Sequence, residues 1–135
     1  MQVLRNFITI SFLLPTILVY AQKSVPQDEV KAKIEVNKME NTIKVTGTAE
    51  NKTAITKSAS YRLSVIKNSV TSNGNQSNNS QEGVFTLNPN EKIKLSTTQV
   101  TINDDEVVIV MLLFFNEDKE IISKERIEFN GEKKK

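Results

Sequence analysis

"VVIVMLLFF", residues 107–115, places nine apolar side chains in a row. An unbroken run has no period to read, so length, composition and flanks must decide between strand and helix. The run is far too short to cross a bilayer, which takes about 20 residues. Its first half, Val107 to Val110, is β-branched. Turn-forming acidic residues bound it: Asn103-Asp104-Asp105 and Glu106 before, Asn116-Glu117-Asp118 after. The run therefore reads as a central strand covered on both faces, with a short buried helix as the alternative. It is also the most aggregation-prone window of the chain. The acids on each side are placed as gatekeepers while it folds.

Working outward, most other segments that could enter the core alternate with period two, the mark of a half-buried strand. Glu120 to Phe129 gives the last strand, with Ile121 or Ile122 and Ile127 turned to the core. Residues 131–135, Gly131 and a lysine tail, read as frayed. Upstream, Ile93, Leu95 and Thr97 alternate, with Val100 and Ile102 past a bend. Gly83 to Leu87 is a strand closed by Asn88-Pro89-Asn90, where Pro suits the second position of a type I turn. A strand from about Lys57 to Lys67 turns Ala59, Tyr61, Leu63 and Val65 inward, and Ser60, Arg62, Ser64 and Ile66 outward. Asn51-Lys52-Thr53 breaks the strand that sets Ile43, Val45, Gly47 and Ala49 against Lys44, Thr46 and Thr48. Asn37 to Asn41 is a turn, and before it Val30, Ala32, Ile34 and Val36 oppose Lys31, Lys33 and Glu35. Seven short strands without helical periodicity imply an all-β fold. The expectation is an immunoglobulin-like antiparallel β-sandwich over residues 30–130, with a small β-barrel as runner-up.

Residues 1–21 stand apart. Arg5 precedes an apolar run from Phe7 to Tyr20, and Val19-Tyr20-Ala21 offers small residues where a leader peptidase reads. This is the pattern of a secretory signal peptide cut after Ala21, followed by a polar lead-in over 22–29. After cleavage no membrane association is expected. The 18 basic and 16 acidic residues of the full chain leave a net charge of +2, too little for non-specific nucleic-acid binding. With no His and no Cys there is no imidazole base, thiol nucleophile, disulfide or ordinary zinc site. Carboxylate-only chemistry stays open in principle, but the acids lie mostly in turns and at strand ends, so no enzyme and no cofactor is expected.

The surface holds two candidate features. "KNSVTSNGNQSNNSQEG", residues 67–83, has one apolar side chain, Val70. It admits a disordered loop, a polar edge strand, or an edge that meets a partner rich in the same side chains. The second feature is basic: Arg62 outward on the third strand with Lys57 and Lys67 at its ends, and Lys92 and Lys94 away from the Ile93 and Leu95 face. Joined, such charges would attract an acidic chain. The Asn-x-Ser/Thr matches at Asn51, Asn75 and Asn78 carry no weight in so Asn- and Ser-rich a chain.

From Tyr61 to Val100 the sequence resembles the curli assembly chaperones of the CsgH type, relatives of CsgC. The likeness rests on Tyr61-Arg62-Leu63-Ser64-Val65, Gln81-Glu82-Gly83, Phe85-Thr86-Leu87, Pro89 and Leu95-Ser96-Thr97. The resemblance implies a small periplasmic sandwich protein, without catalysis or cofactor. Such a protein keeps the amyloid-forming major curli subunit from polymerising before export. The Cys-x-Cys pair of CsgC members is missing here, which removes any thiol chemistry. No residue list transfers. Position and residue type suggest Arg62, Lys67, Asn73, Asn75, Gln76, Asn78, Gln81, Lys92 and Lys94 as client-binding groups, on a protein expected to be monomeric. The alternatives are an exported structural or adhesion module, or a small protease inhibitor using residues 67–83 as its blocking loop.

Overall fold

A computed structural model describes residues 29–70 and 76–131. The leader, most of the lead-in, Asn73, Asn75 and the last four residues lie outside them. Seven strands follow in order: β1 (Val30–Met39), β2 (Thr42–Asn51), β3 (Lys57–Ser69), β4 (Gln76–Leu87), β5 (Lys92–Thr101), β6 (Glu106–Phe115) and β7 (Ile121–Asn130). Among the described residues there is no helix. The strands form two antiparallel sheets, β1-β2-β5 and β4-β3-β6-β7, stacked as a sandwich. The barrel and the buried helix are thereby excluded.

The core is the set of inward positions that the alternation marks. Val30, Ala32, Ile34, Ile43, Val45 and Ala49 come from the smaller sheet, and Leu63, Val65, Phe85 and Leu87 from β3 and β4. Val108, Val110, Leu112 and Phe114 of β6 are fully buried, and Phe114 meets the Phe85 ring at 5.0 Å. Ile122, not Ile121, joins Ile127 and Phe129 against this cluster. At one side of the sandwich the sheets are tied together, because the Ala32 amide donates to Ser123 Oγ (3.0 Å).

Several expectations are corrected. The β6 run is buried on one face only; Val107, Ile109, Met111, Leu113 and Phe115 are half-buried on the other. Antiparallel sheets of this kind need only one covered face. Val36 is 40% exposed because the β1–β2 hairpin projects past the core, its turn falling at Glu40 and Asn41. Thr97 points outward. Gly47 pairs with Ser96 and Thr48 with Lys94, so Leu95 is bulged and the alternation of β5 restarts one residue later. Val100 accordingly lies in the same strand as Ile93. Thr46 and Thr48 face outward but are buried, with Thr46 Oγ1 bonded to Thr97 Oγ1 and Thr48 Oγ1 donating to the Lys33 carbonyl. Asn90 has φ 63°, which makes the Asn88–Glu91 turn type II rather than type I. Gly131 is held, its amide donating to the Glu106 carbonyl.

Candidate functional site: a polar edge strand and a basic sheet face

The polar run is not a loop once it reaches Gln76. From there to Leu87 it is one strand, much longer than the Gly83–Leu87 segment the sequence suggests. What orders it is the pairing with β3, from Lys57 opposite Leu87 to Asn68 opposite Gln76. It is the outermost strand of its sheet, so among the described residues one side of its backbone has no strand beside it. Its alternation sends Gln76, Asn78, Ser80, Glu82, Val84 and Thr86 to the outer face. Gln81 turns inward, opposite Leu63, and its Oε1 atom is buried without a hydrogen-bond partner among the described residues.

The outer face carries Arg62. Its guanidinium pairs with Glu82 (2.9 Å) on β4 and sits 5.4 Å above the Phe115 ring. In the next row Val84, Ser60 and Phe115 stand side by side across β4, β3 and β6. A small Ser between two apolar side chains leaves a dent. A shallow groove of ≈ 490 Å³ lies there, lined by Arg62, Glu82, Val84, Phe115 and Lys119 among others. A second of ≈ 420 Å³ continues past Thr86 and Asn116.

The expected basic residues do not form one patch. Lys67 is five residues from Arg62, an odd number, so the two leave opposite faces of β3. Lys67 Nζ donates to the Thr101 carbonyl (2.9 Å) and approaches Glu106 (3.6 Å), tying β3 to the other sheet. Lys92 and Lys94 lie on the outer face of the smaller sheet instead. Register places Lys31, Lys33 and Lys44 on that same face, with Glu35 and Glu50 among them, and Lys92 approaches Glu35 at 3.8 Å. These further lysines were visible in the sequence as outward positions, but only the register shows that they adjoin Lys92 and Lys94. Val84 was also legible, as an apolar residue out of phase with Phe85 and Leu87.

Among the described residues no cluster of acidic side chains could hold a metal ion. No helix there is long and apolar enough to cross a membrane.

Against solved structures, the E. coli curli protein CsgC aligns over 72% of this chain and 96% of its own, with TM-score 0.57 and 12% identity. The two share a fold. The R. palustris protein CsgH aligns over 76% of this chain and 92% of its own, with TM-score 0.49 and 15% identity. A Bacteroides uniformis beta-glucuronidase aligns over 76% of this chain but 14% of its own, at TM-score 0.49 and 10% identity. No protein-family model and no curated protein matches the sequence. The resemblance to CsgC thus holds at the level of the fold, in an arrangement that spans nearly the whole of that protein.

Proposed function

We propose that this chain is an exported, non-catalytic chaperone that delays the polymerisation of an amyloid-forming curli subunit. The observation that carries the reading is β4. It is a twelve-residue edge strand whose first half is entirely Gln, Ser and Asn. A client strand can add to its open side through main-chain hydrogen bonds. Gln and Asn side chains donate and accept at once, so those of β4 can pair with the same types on the client. Growth then stops for a geometric reason. A fibre tip needs a strand with two open edges, and the second edge of β4 is occupied by β3.

The fold shared with CsgC supports this reading, as does the leader, which would deliver the protein to the periplasm. The protease-inhibitor alternative loses its blocking loop from Gln76 onward, where the chain is strand. The test is thioflavin fluorescence of a purified major curli subunit with sub-stoichiometric amounts of this protein. A lengthened lag is expected. An unchanged lag sinks the reading and favours a stable adhesion or structural module.

A further inference from the structure

Edge strands of soluble proteins keep their outer faces polar, because an apolar one invites pairing. Gln76, Asn78, Ser80 and Glu82 obey this, and then Val84 does not: it is 82% exposed. Val84 also borders both grooves of the outer face, together with Phe115 and Lys119. Phe115 is half-buried, walled by the Arg62 guanidinium above its ring. An exposed apolar residue on an open edge, beside a dent with an aromatic wall, is a place for a side chain from outside.

Charge narrows the occupant. Arg62 is already engaged by Glu82. Lys119 stands at the groove's rim, on the β6–β7 turn with φ 67°, and among the described residues no ion pair engages it. The groove therefore sets two apolar walls, Val84 and Phe115, beside a Lys119 ammonium that no carboxylate among the described residues engages.

We propose that the second half of β4 is a specificity site for an extended segment bearing an aromatic side chain with a carboxylate nearby on the same face. This rests on the edge-pairing reading and names which stretch of the edge selects the partner. A segment lying along β4 at the usual strand spacing of about 4.8 Å sets its alternate side chains beside Val84. A ring there lies across Val84 and fills the near edge of the groove, whose far wall is Phe115. A residue two positions along the segment points to the same face, where Lys119 can meet its carboxylate. The polar half of β4 then supplies general affinity for the backbone, and the Val84 end decides what is held.

The probe is a synthetic peptide of about ten residues, with a central Phe, Asp two positions to either side, and Ser and Gly elsewhere. It is titrated into the isotope-labelled mature protein and followed by amide chemical shifts. Shifts should centre on Val84, Phe115 and Lys119. Val84→Lys, at a site too exposed to matter for folding, should weaken binding roughly tenfold, the loss of one well-covered apolar contact. Replacing the peptide's Phe by Ala should do the same. A peptide with Lys for Asp should bind poorly to the wild type and regain affinity with Lys119→Glu. No binding, shifts confined to Gln76–Ser80 or to the smaller sheet, or equal affinity for Val84→Lys each overturn the proposal. The fibre assay separates the two readings. A delay given equally by wild type and Val84→Lys removes this site and keeps the function. Peptide binding as described without any delay keeps the site and removes the function.

Discussion

Asn51 holds one end of the sandwich together. The sequence marks it as a strand breaker, yet it is the last residue of β2 and fully buried. Its Nδ2 donates to the carbonyls of Ile55 (2.8 Å), Leu87 (3.2 Å) and Asn88 (3.1 Å), and its Oδ1 accepts from the amide and hydroxyl of Thr53 (2.9 and 2.7 Å). One carboxamide thus satisfies both the loop before β3 and the turn after β4. Its burial also closes the site to glycosylation in the folded protein. Asn51→Ala strands those carbonyls, and a buried unsatisfied group costs about 1–3 kcal/mol. The variant should lose at least about 2 kcal/mol, read as a lower urea midpoint at unchanged slope. Asn51→Asp should lose more, because a carboxylate has no proton to give three carbonyl oxygens. A midpoint within error of wild type would show that water takes over these bonds.

At the scale of elements, the strands that packing alone decides were legible and those that pairing decides were not. Val30, Ala32 and Ile34, or Leu63 and Val65, announce their phase because each inward residue must leave water. Gln76 to Ser80 has no such phase. Its order comes from β3, whose Ile66, Lys67 and Asn68 lie opposite, and no local pattern encodes a partner. The Leu95 bulge was hidden for a related reason: Ile93 and Leu95 continue the expected alternation until register with Gly47 and Thr48 interrupts it. The apolar run of β6 concealed its outer face, since unbroken hydrophobicity reads alike whether one face or both are covered. The candidate residues suffered most. Arg62, Lys67 and Lys94 are basic and outlying in sequence, but facing divides them among three surfaces. A further element-scale prediction concerns how β4 is held. Gly83 lies opposite Tyr61, and a Cβ there would come within 2.9 Å of the Tyr61 ring. The ring must move, and with it the long contact of its hydroxyl to the Leu95 carbonyl (3.5 Å). Gly83→Ala should cost about 1–3 kcal/mol of overpacking. Amide hydrogen exchange in β4 should quicken before that in β6. Uniform exchange across the sheet would mean that Tyr61 adapts without loosening the edge.

For the molecule as a whole, the two outer faces differ in charge although the net charge is small. On the larger sheet the two arginines are matched locally, Arg62 by Glu82 and Arg126 by Glu128, which leaves Lys124 and, on the β6–β7 turn, Lys119. On the smaller sheet Lys31, Lys33, Lys44, Lys92 and Lys94 outnumber Glu35 and Glu50. A sheet face with a basic excess acts at long range, on encounter, whereas an open strand edge acts only at contact. If the client is acidic, capture should divide accordingly. Lys33→Glu with Lys94→Glu should slow association several-fold while leaving dissociation almost unchanged, as rim charges do. Raising ionic strength above about 0.15 M should slow the wild type in the same way and the double variant little, since the Debye length has then fallen below about 8 Å. Lys67→Gln should leave the association rate as it is, because that ammonium is committed to the Thr101 carbonyl and Glu106. Surface-immobilised client and flowing protein at two salt concentrations measure all of this. Should the lysine double variant associate at the wild-type rate with the same salt dependence, the smaller sheet has no part in steering. Capture would then depend on the β4 edge alone.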